Sequence, residues 1–294
     1  MLRRFAVTLA AFGLLARAGE ARACAVCATA DPTLTTTGEE QPFRNRLELS
    51  ADARIGFVEA GGISLDDRRV EIAAAWAPVR ALEISFLAPY LFRTVTESEP
   101  LGSFDHATLG DVELRAQTLA YEARGAFGHR RLGIVASIKA PTAPIEYGAS
   151  GEPLPSALQP GCGGVAPTIG AYWVASYGPW SGYVSASLFV PVPVRNGPHG
   201  GDSLRASAHL QFQPSPRFGA RVGVFARVDS SGRLDDTQDD PNSGGFIGYV
   251  TGALAFSPVQ DLVVTGGVFL PVIEALQGDH HEGPIASVTV AYDF

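Results

Sequence analysis

From about residue 44 to the C-terminus the chain alternates between short runs of period two and clusters of Gly, Pro and Asp. The plainest run is 46–55, where Leu47, Leu49, Ala51, Ala53 and Ile55 interleave with Arg46, Glu48, Ser50, Asp52 and Arg54. The same texture returns at 111–117, 204–211 and 221–228. A helix would set residues three and four apart on one face and mix charge with Leu; a strand keeps the two sets apart. The pattern predicts strands near 45–59, 68–78, 81–95, 110–122, 131–141, 165–177, 181–192, 203–213, 218–229, 245–256, 261–273 and 284–294.

Alternation does not say which face is wet. In a soluble sandwich the apolar face is the core; in a membrane barrel it meets lipid and the polar face lines the interior. Three features favour the barrel. Aromatic residues sit near strand ends, where an interfacial girdle would lie: Trp76, Tyr90, Phe92, Trp173, Tyr177, Tyr249 and Tyr292. Links alternate in length, with short ones at 78–80, 177–180, 214–217 and 258–260 and long polar ones at 96–109, 142–164, 193–202, 230–244 and 274–283. Short periplasmic turns, long outer loops and an even strand number are the habit of outer-membrane barrels. Finally, Val288, Val290, Tyr292 and Phe294 occupy every second position of the last run. That spacing resembles the C-terminal signal read by barrel-assembly machinery, and it suits a closing strand with Thr289 and Asp293 turned to the lumen. The expected fold is all-β, a closed antiparallel transmembrane barrel of about twelve strands over residues 44–294, in contact with outer-membrane lipid.

The N-terminus places that barrel in an export pathway. Arg3 and Arg4, the apolar run 5–16 and Ala21-Arg22-Ala23 read as a cleaved signal peptide of residues 1–23, too short in its apolar part to anchor in a membrane. Residues 24–43 then form a periplasmic segment. The formal net charge of −8, made more acidic by loss of the four Arg and one Glu of the signal, argues against a nucleic-acid partner. The expected location is the outer membrane of a Gram-negative bacterium.

The predicted lumen face carries both signs of charge: Glu48, Asp52, Arg54, Arg69, Glu71, Glu83, Arg93, Asp111, Glu113, Arg115, Lys139, Arg205, Arg221, Arg227 and Asp293, with His209 among them. Such a face is either a polar conduit that selects a solute or a set of cross-strand ion pairs filling a narrow barrel, and twelve strands allow both. Four outward-running strands reach a Pro after an apolar stretch, at Pro89, Pro141, Pro191 and Pro271. Proline cannot donate to a ladder, so these residues are expected at a strand end or bulge, with strand termination favoured over a constriction of the pore mouth.

Leu109-Gly110-Asp111-Val112 and Ser137-Ile138-Lys139-Ala140-Pro141-Thr142 resemble motifs of the outer-membrane transporters associated with meta-pathway phenol degradation, although Ala143 stands where that family more typically has Gly. The resemblance implies a barrel channel for small hydrophobic or aromatic molecules and supplies no set of binding residues. It favours a small-molecule channel over a structural or adhesive barrel. A lipase- or protease-type enzyme is the remaining alternative.

Other chemistry is sparse. Cys24-Ala25-Val26-Cys27 has the spacing of a disulfide, a redox pair offered to a periplasmic partner, or half a metal site, with Cys162 alone in the longest outer loop. Ala28 stands where haem attachment requires His. His280 and His281, with His106 and His199 in other outer loops, are candidate ligands for a divalent cation. Ser207 and His209 share a strand face, but no nucleophile motif or phosphate-binding Gly loop accompanies them, and no cofactor is implied.

Overall fold

The computed structural model describes residues 45–98, 102–125, 128–194, 196–235 and 237–294. The expected signal peptide and the segment holding Cys24 and Cys27 lie outside the described residues. Fifteen strand segments are described: β1 (Arg46–Ala60), β2 (Ile63–Val79), β3 (Leu82–Glu97), β4 (Gly102–Leu109), β5 (Glu113–Gly125), β6 (Gly128–Lys139), β7 (Gly164–Tyr177), β8 (Trp180–Phe189), β9 (Val192–Pro193), β10 (Ser203–Ser215), β11 (Phe218–Asp229), β12 (Gly245–Phe256), β13 (Leu262–Leu276), β14 (His280–Glu282) and β15 (Ile285–Asp293). Each pairs antiparallel with its neighbour, and β1 pairs with both β2 and β15, which closes the ring. Twelve staves result. β4 and β5 share one position beside β3, β9 is a short extension beside β7, and β14 lies beside the outer end of β1.

Strand parity places the side chains as the sequence pattern predicts. Leu47, Leu49, Ile55, Ile72, Leu114, Ile134, Ile169, Val184, Leu204, Val222, Leu254, Val268 and Val290 are exposed on the outside, while Asp52, Arg54, Glu71, Glu113 and Arg115 are buried inside. The outer band is the lipid face of a barrel closed so that no ladder edge remains. Trp76, Tyr90, Phe92, Trp173, Tyr177 and Tyr292 are exposed on that face as expected, and Trp180, Phe212, Phe218 and Phe256 join them. Tyr249 does not. It shares parity with Ile247 and Thr251, is buried, and donates its hydroxyl to Glu282 Oε2 at 2.6 Å.

Two further expectations need correction. The link expected at 96–109 holds a strand, β4, which continues the ladder of β3 from Tyr90 to Glu97. Its outward residues include Ser103 and Asp105, the latter accepting from Thr94 Oγ1 at 2.7 Å, so the hairpin outlasts the membrane and its polar outer face reads as a loop. The prolines divide into two kinds. Pro141 and Pro191 follow the ends of β6 and β8. Pro89 instead sits inside β3, where its partner changes from β5 to β4, and Pro271 sits inside β13 beside a bulge. At Pro89 the missing N–H is accommodated by a break in the partner strand, and at Pro271 by a bulge in the proline's own strand, where Val272 is the extra residue.

Candidate functional site: the lumen and its inward loop

The break opposite Pro89 positions the centre of the lumen. Gly110 donates to the Pro89 carbonyl at 2.9 Å, and a Cβ at this glycine would lie 2.8 Å from Leu91 Cδ1 and 2.9 Å from Pro89 Cγ. A side chain here would have to displace Leu91 and Pro89, so glycine suits the close approach. The turn directs Asp111 inward, where its two oxygens accept from Ala143 N at 3.1 Å and Cys162 N at 2.7 Å. Thr142 Oγ1 donates to Gly110 O at 2.8 Å and accepts from Val112 N at 3.0 Å. The two short motifs at 109–112 and 137–142 therefore meet in space and hold both ends of one loop, residues 140–163.

That loop folds into the barrel. Leu154, Ala157, Leu158 and Cys162 are fully buried against Ala60, Leu65, Leu91, Val95, Ala166 and Phe189 of the wall. Cys162, expected alone in the longest outer loop, is buried with its thiol 3.1 Å from Asp111 Oδ2 and 3.3 Å from the Gly164 carbonyl. Arg93 reaches the loop with its whole guanidinium buried, binding Glu146 and the Leu158 carbonyl and standing 3.5 Å from Asp67. Gln159 braces the loop internally, with Nε2 donating to Leu154 O at 2.8 Å and Glu146 O at 3.0 Å. A second loop, 230–244, clasps it from outside: Asp240 Oδ2 accepts from both N and Oγ of Ser156, each at 2.7 Å. Full burial of each Leu contributes roughly 1.5–3 kcal/mol, so apolar packing and ionic anchors together hold the loop inside the outer half of the lumen.

The remaining charged residues sit on the inner wall, and most pair along their own strand rather than across strands. Arg46 with Glu48 (2.8 Å), Arg54 with Asp52, Arg69 with Glu71 (2.9 Å), Arg115 with Glu113 (3.1 Å) and Arg227 with Asp229 are all two residues apart. Residues i and i+2 share a face of a strand, so an alternating sign along that face self-neutralises. Cross-strand contacts join these pairs: Lys139 Nζ to Glu113 (3.7 Å), Arg46 to Asp293 (2.7 Å) and Arg227 to Glu282. Arg205 packs 4.7 Å from the Phe189 ring centroid, and Arg221 donates to Gln211 at 3.0–3.1 Å. Glu83 accepts from Gln117 Nε2 at 2.8 Å.

Glu282 belongs to β14, above the apolar belt. Its burial raises the carboxyl pKa, but Arg227 foremost, then His280 and Tyr249, more than offset that effect and hold it well below the ordinary range. His280 is buried beside Glu282 at 3.4 Å, whereas His281 points outward to Glu274 at 3.4 Å. Adjacent strand residues face opposite ways, so one ion cannot take both rings. His106 packs edge-on to Phe104 and His199 is buried near its own loop backbone. Among the described residues no group of three or more His, Cys, Asp or Glu side chains is arranged for a metal. Ser207 pairs with Ser185 Oγ at 2.7 Å and His209 with Thr251 at 3.3 Å, not with one another.

Toward the periplasmic end lies a cavity of about 320 Å³ bounded by Arg46, Glu48, Gln211, Gln213, Phe218 and Asp293, among others. The inward loop, its Asp111 latch and its Asp240 clasp have no periodic signature, and sequence reasoning missed the arrangement. The quoted motifs were the available signal.

No family model matches the chain, and no curated protein matches it by sequence. Solved structures share its fold. An outer membrane channel from Pseudomonas putida F1 superposes with a TM-score of 0.70 over 90% of this chain and 100% of that one, at 15% identity. The transport unit of the autotransporter AIDA-I from Escherichia coli gives 0.52 over 92% and 97% at 11% identity. The translocator domain of the autotransporter NalP from Neisseria meningitidis gives 0.52 over 88% and 91%, also at 11%. With a closed ring of twelve staves, a continuous apolar outer band and a fold shared with these proteins, the chain is a transmembrane β-barrel of the Gram-negative outer membrane.

Proposed function

We propose that this barrel is a small-molecule channel whose outer entry is controlled by the 140–163 loop and whose solutes are small hydrophobic or aromatic compounds. One observation carries the reading. The wall beneath the loop carries an apolar patch of Leu65, Leu91, Val95 and Phe189, with Val58, Ile63 and Phe104 packed beside them, around the charged Asp67 and Arg93. Water-filled barrels have polar interiors; here, withdrawal of the loop would present that apolar patch to an entering solute. A second apolar group of Phe225, Ile247 and Tyr249, with Phe269 against it, lies on the opposite wall. The likeness to a P. putida outer membrane channel and the motif resemblance to phenol-pathway transporters support the same reading. Lumen residues such as Glu48, Arg69, Glu71, Arg115, Lys139, Arg205, Arg221 and Arg227 then act as the neutralised wall along which the solute moves.

The test is uptake into proteoliposomes of phenolic solutes against sugars and amino acids of similar size, with planar-bilayer conductance alongside. Uptake of phenolics but not sugars is expected. Equal rates for both, or no flux at all, would overturn the assignment, and absence of any conductance favours a structural barrel, which the loop-filled outer half also fits. For assembly, we propose that Val290, Tyr292 and Phe294 present the machinery-recognised face. Phe294→Ala is expected to lower the yield of membrane-inserted barrel, and an unchanged yield would remove that role.

A further inference from the structure

The lipid face carries a concavity unrelated to the lumen. Near the periplasmic rim Ala175 of β7 stands opposite Gly182 of β8, so two small residues make a floor. Trp173, Tyr177, Trp180 and Leu210 stand around it and Arg130 lies at its edge, leaving a shallow, open groove of about 530 Å³. All four large side chains are exposed, and Trp180 rests against Phe212 with ring centroids 4.6 Å apart. A Cβ at Gly182 would find its nearest atom 4.0 Å away, so barrel packing does not require glycine there. Arg130 shares the outward parity of Leu132 and Ile134. Among the described residues it makes no hydrogen bond or ion pair, unlike its neighbour Arg124, which is 2.9 Å from Glu122.

We propose that this groove binds one phospholipid of the periplasmic leaflet, with an acyl chain along the Ala175–Gly182 floor and the phosphate on Arg130. A guanidinium pairs with phosphate through two parallel N–H donors, and interfacial Trp and Tyr favour the zone where chains meet headgroups. The position selects phospholipid over lipopolysaccharide. The groove adjoins the short Gly178-Pro179 turn, at the end of the barrel opposite the long loops.

The experiment uses the mature protein carrying Trp76→Phe, which leaves Trp173 and Trp180 as the reporters. It is titrated in detergent with phosphatidylglycerol brominated in its acyl chains, and fluorescence quenching is read. Saturable quenching is expected, with Arg130→Gln raising the half-quenching concentration by about five-fold and Gly182→Leu abolishing the saturable part. Identical curves for both variants and the parent would mean ordinary belt lipid and overturn the site. Competition by lipopolysaccharide as strong as by unlabelled phosphatidylglycerol would also overturn it. If Gly182→Leu does not fold, as judged by its strand circular dichroism, Arg130→Gln decides alone.

Discussion

On the outer side of the barrel the inward faces of β1, β2 and β3 carry Ala60, Leu65, Leu91 and Val95, and the 140–163 loop lies packed upon them. On the periplasmic side the inner wall carries Arg46, Glu48, Gln211, Gln213 and Asp293, and a cavity remains between them. The same strands thus line two different interiors. Charged residues occur in both, but their surroundings differ: Arg93 at the outer end is fully enclosed between Asp67, Glu146 and the loop backbone, whereas Glu48 keeps a side-chain exposure of 27%. The difference teaches that the outer half is filled by a loop and its anchors, with the ladder itself leaving space.

The harshest way to break the contrast is to replace residues 144–160 by a short Gly-Ser link. Single-channel conductance in planar bilayers is then expected to rise several-fold, and an unchanged conductance would show that the inner wall alone sets the flux. Arg93→Ala should come next, because it leaves Glu146 buried without its cation; a loss of about 3–5 kcal/mol is expected in urea unfolding from lipid vesicles. Asp111→Ala strands the N–H groups of Cys162 and Ala143 and is expected to cost about 1–3 kcal/mol, with faster proteolysis within 144–160. Glu48→Gln, on the periplasmic side, should change stability by less than about 1 kcal/mol while shifting ion selectivity toward anions. A comparable loss from Glu48→Gln and Arg93→Ala would erase the distinction between the halves.

The mildest probe is pH. The Glu282 carboxyl is held below its ordinary value of 4.5, so its pairing contributes stability above that value. The contribution is lost as pH falls through the lower folded value, because protonation removes the charge Arg227 faces. Outer-loop amides around β14 are expected to exchange faster under strongly acidic conditions and to be unaffected between neutral pH and the mildly acidic range.

Much of this was legible in the chain itself. The residues assigned to the lumen from parity, among them Asp52, Arg54, Glu71, Glu113, Arg115 and Arg227, do point inward. Tyr249 misled because an aromatic near a strand end was read by position rather than by parity with Thr251. The region 96–109 misled because a strand above the membrane turns polar on its outer face. The ion pairs differ from expectation in kind: many are two residues apart on one strand, a pattern visible in the sequence once the face is known.

What the sequence determined by itself is the strand count, the inside and outside of each strand, and the membrane that such a surface requires. Those follow from a period of two, a local property that every residue carries. What only the tertiary structure decided is that residues 140–163 enter the barrel, that Asp111 and Asp240 secure them from different loops, and that the outer half of the lumen holds a packed loop where the periplasmic half holds a cavity. A loop has no period, and its path is fixed by partners from other parts of the chain, as far as 84 residues away.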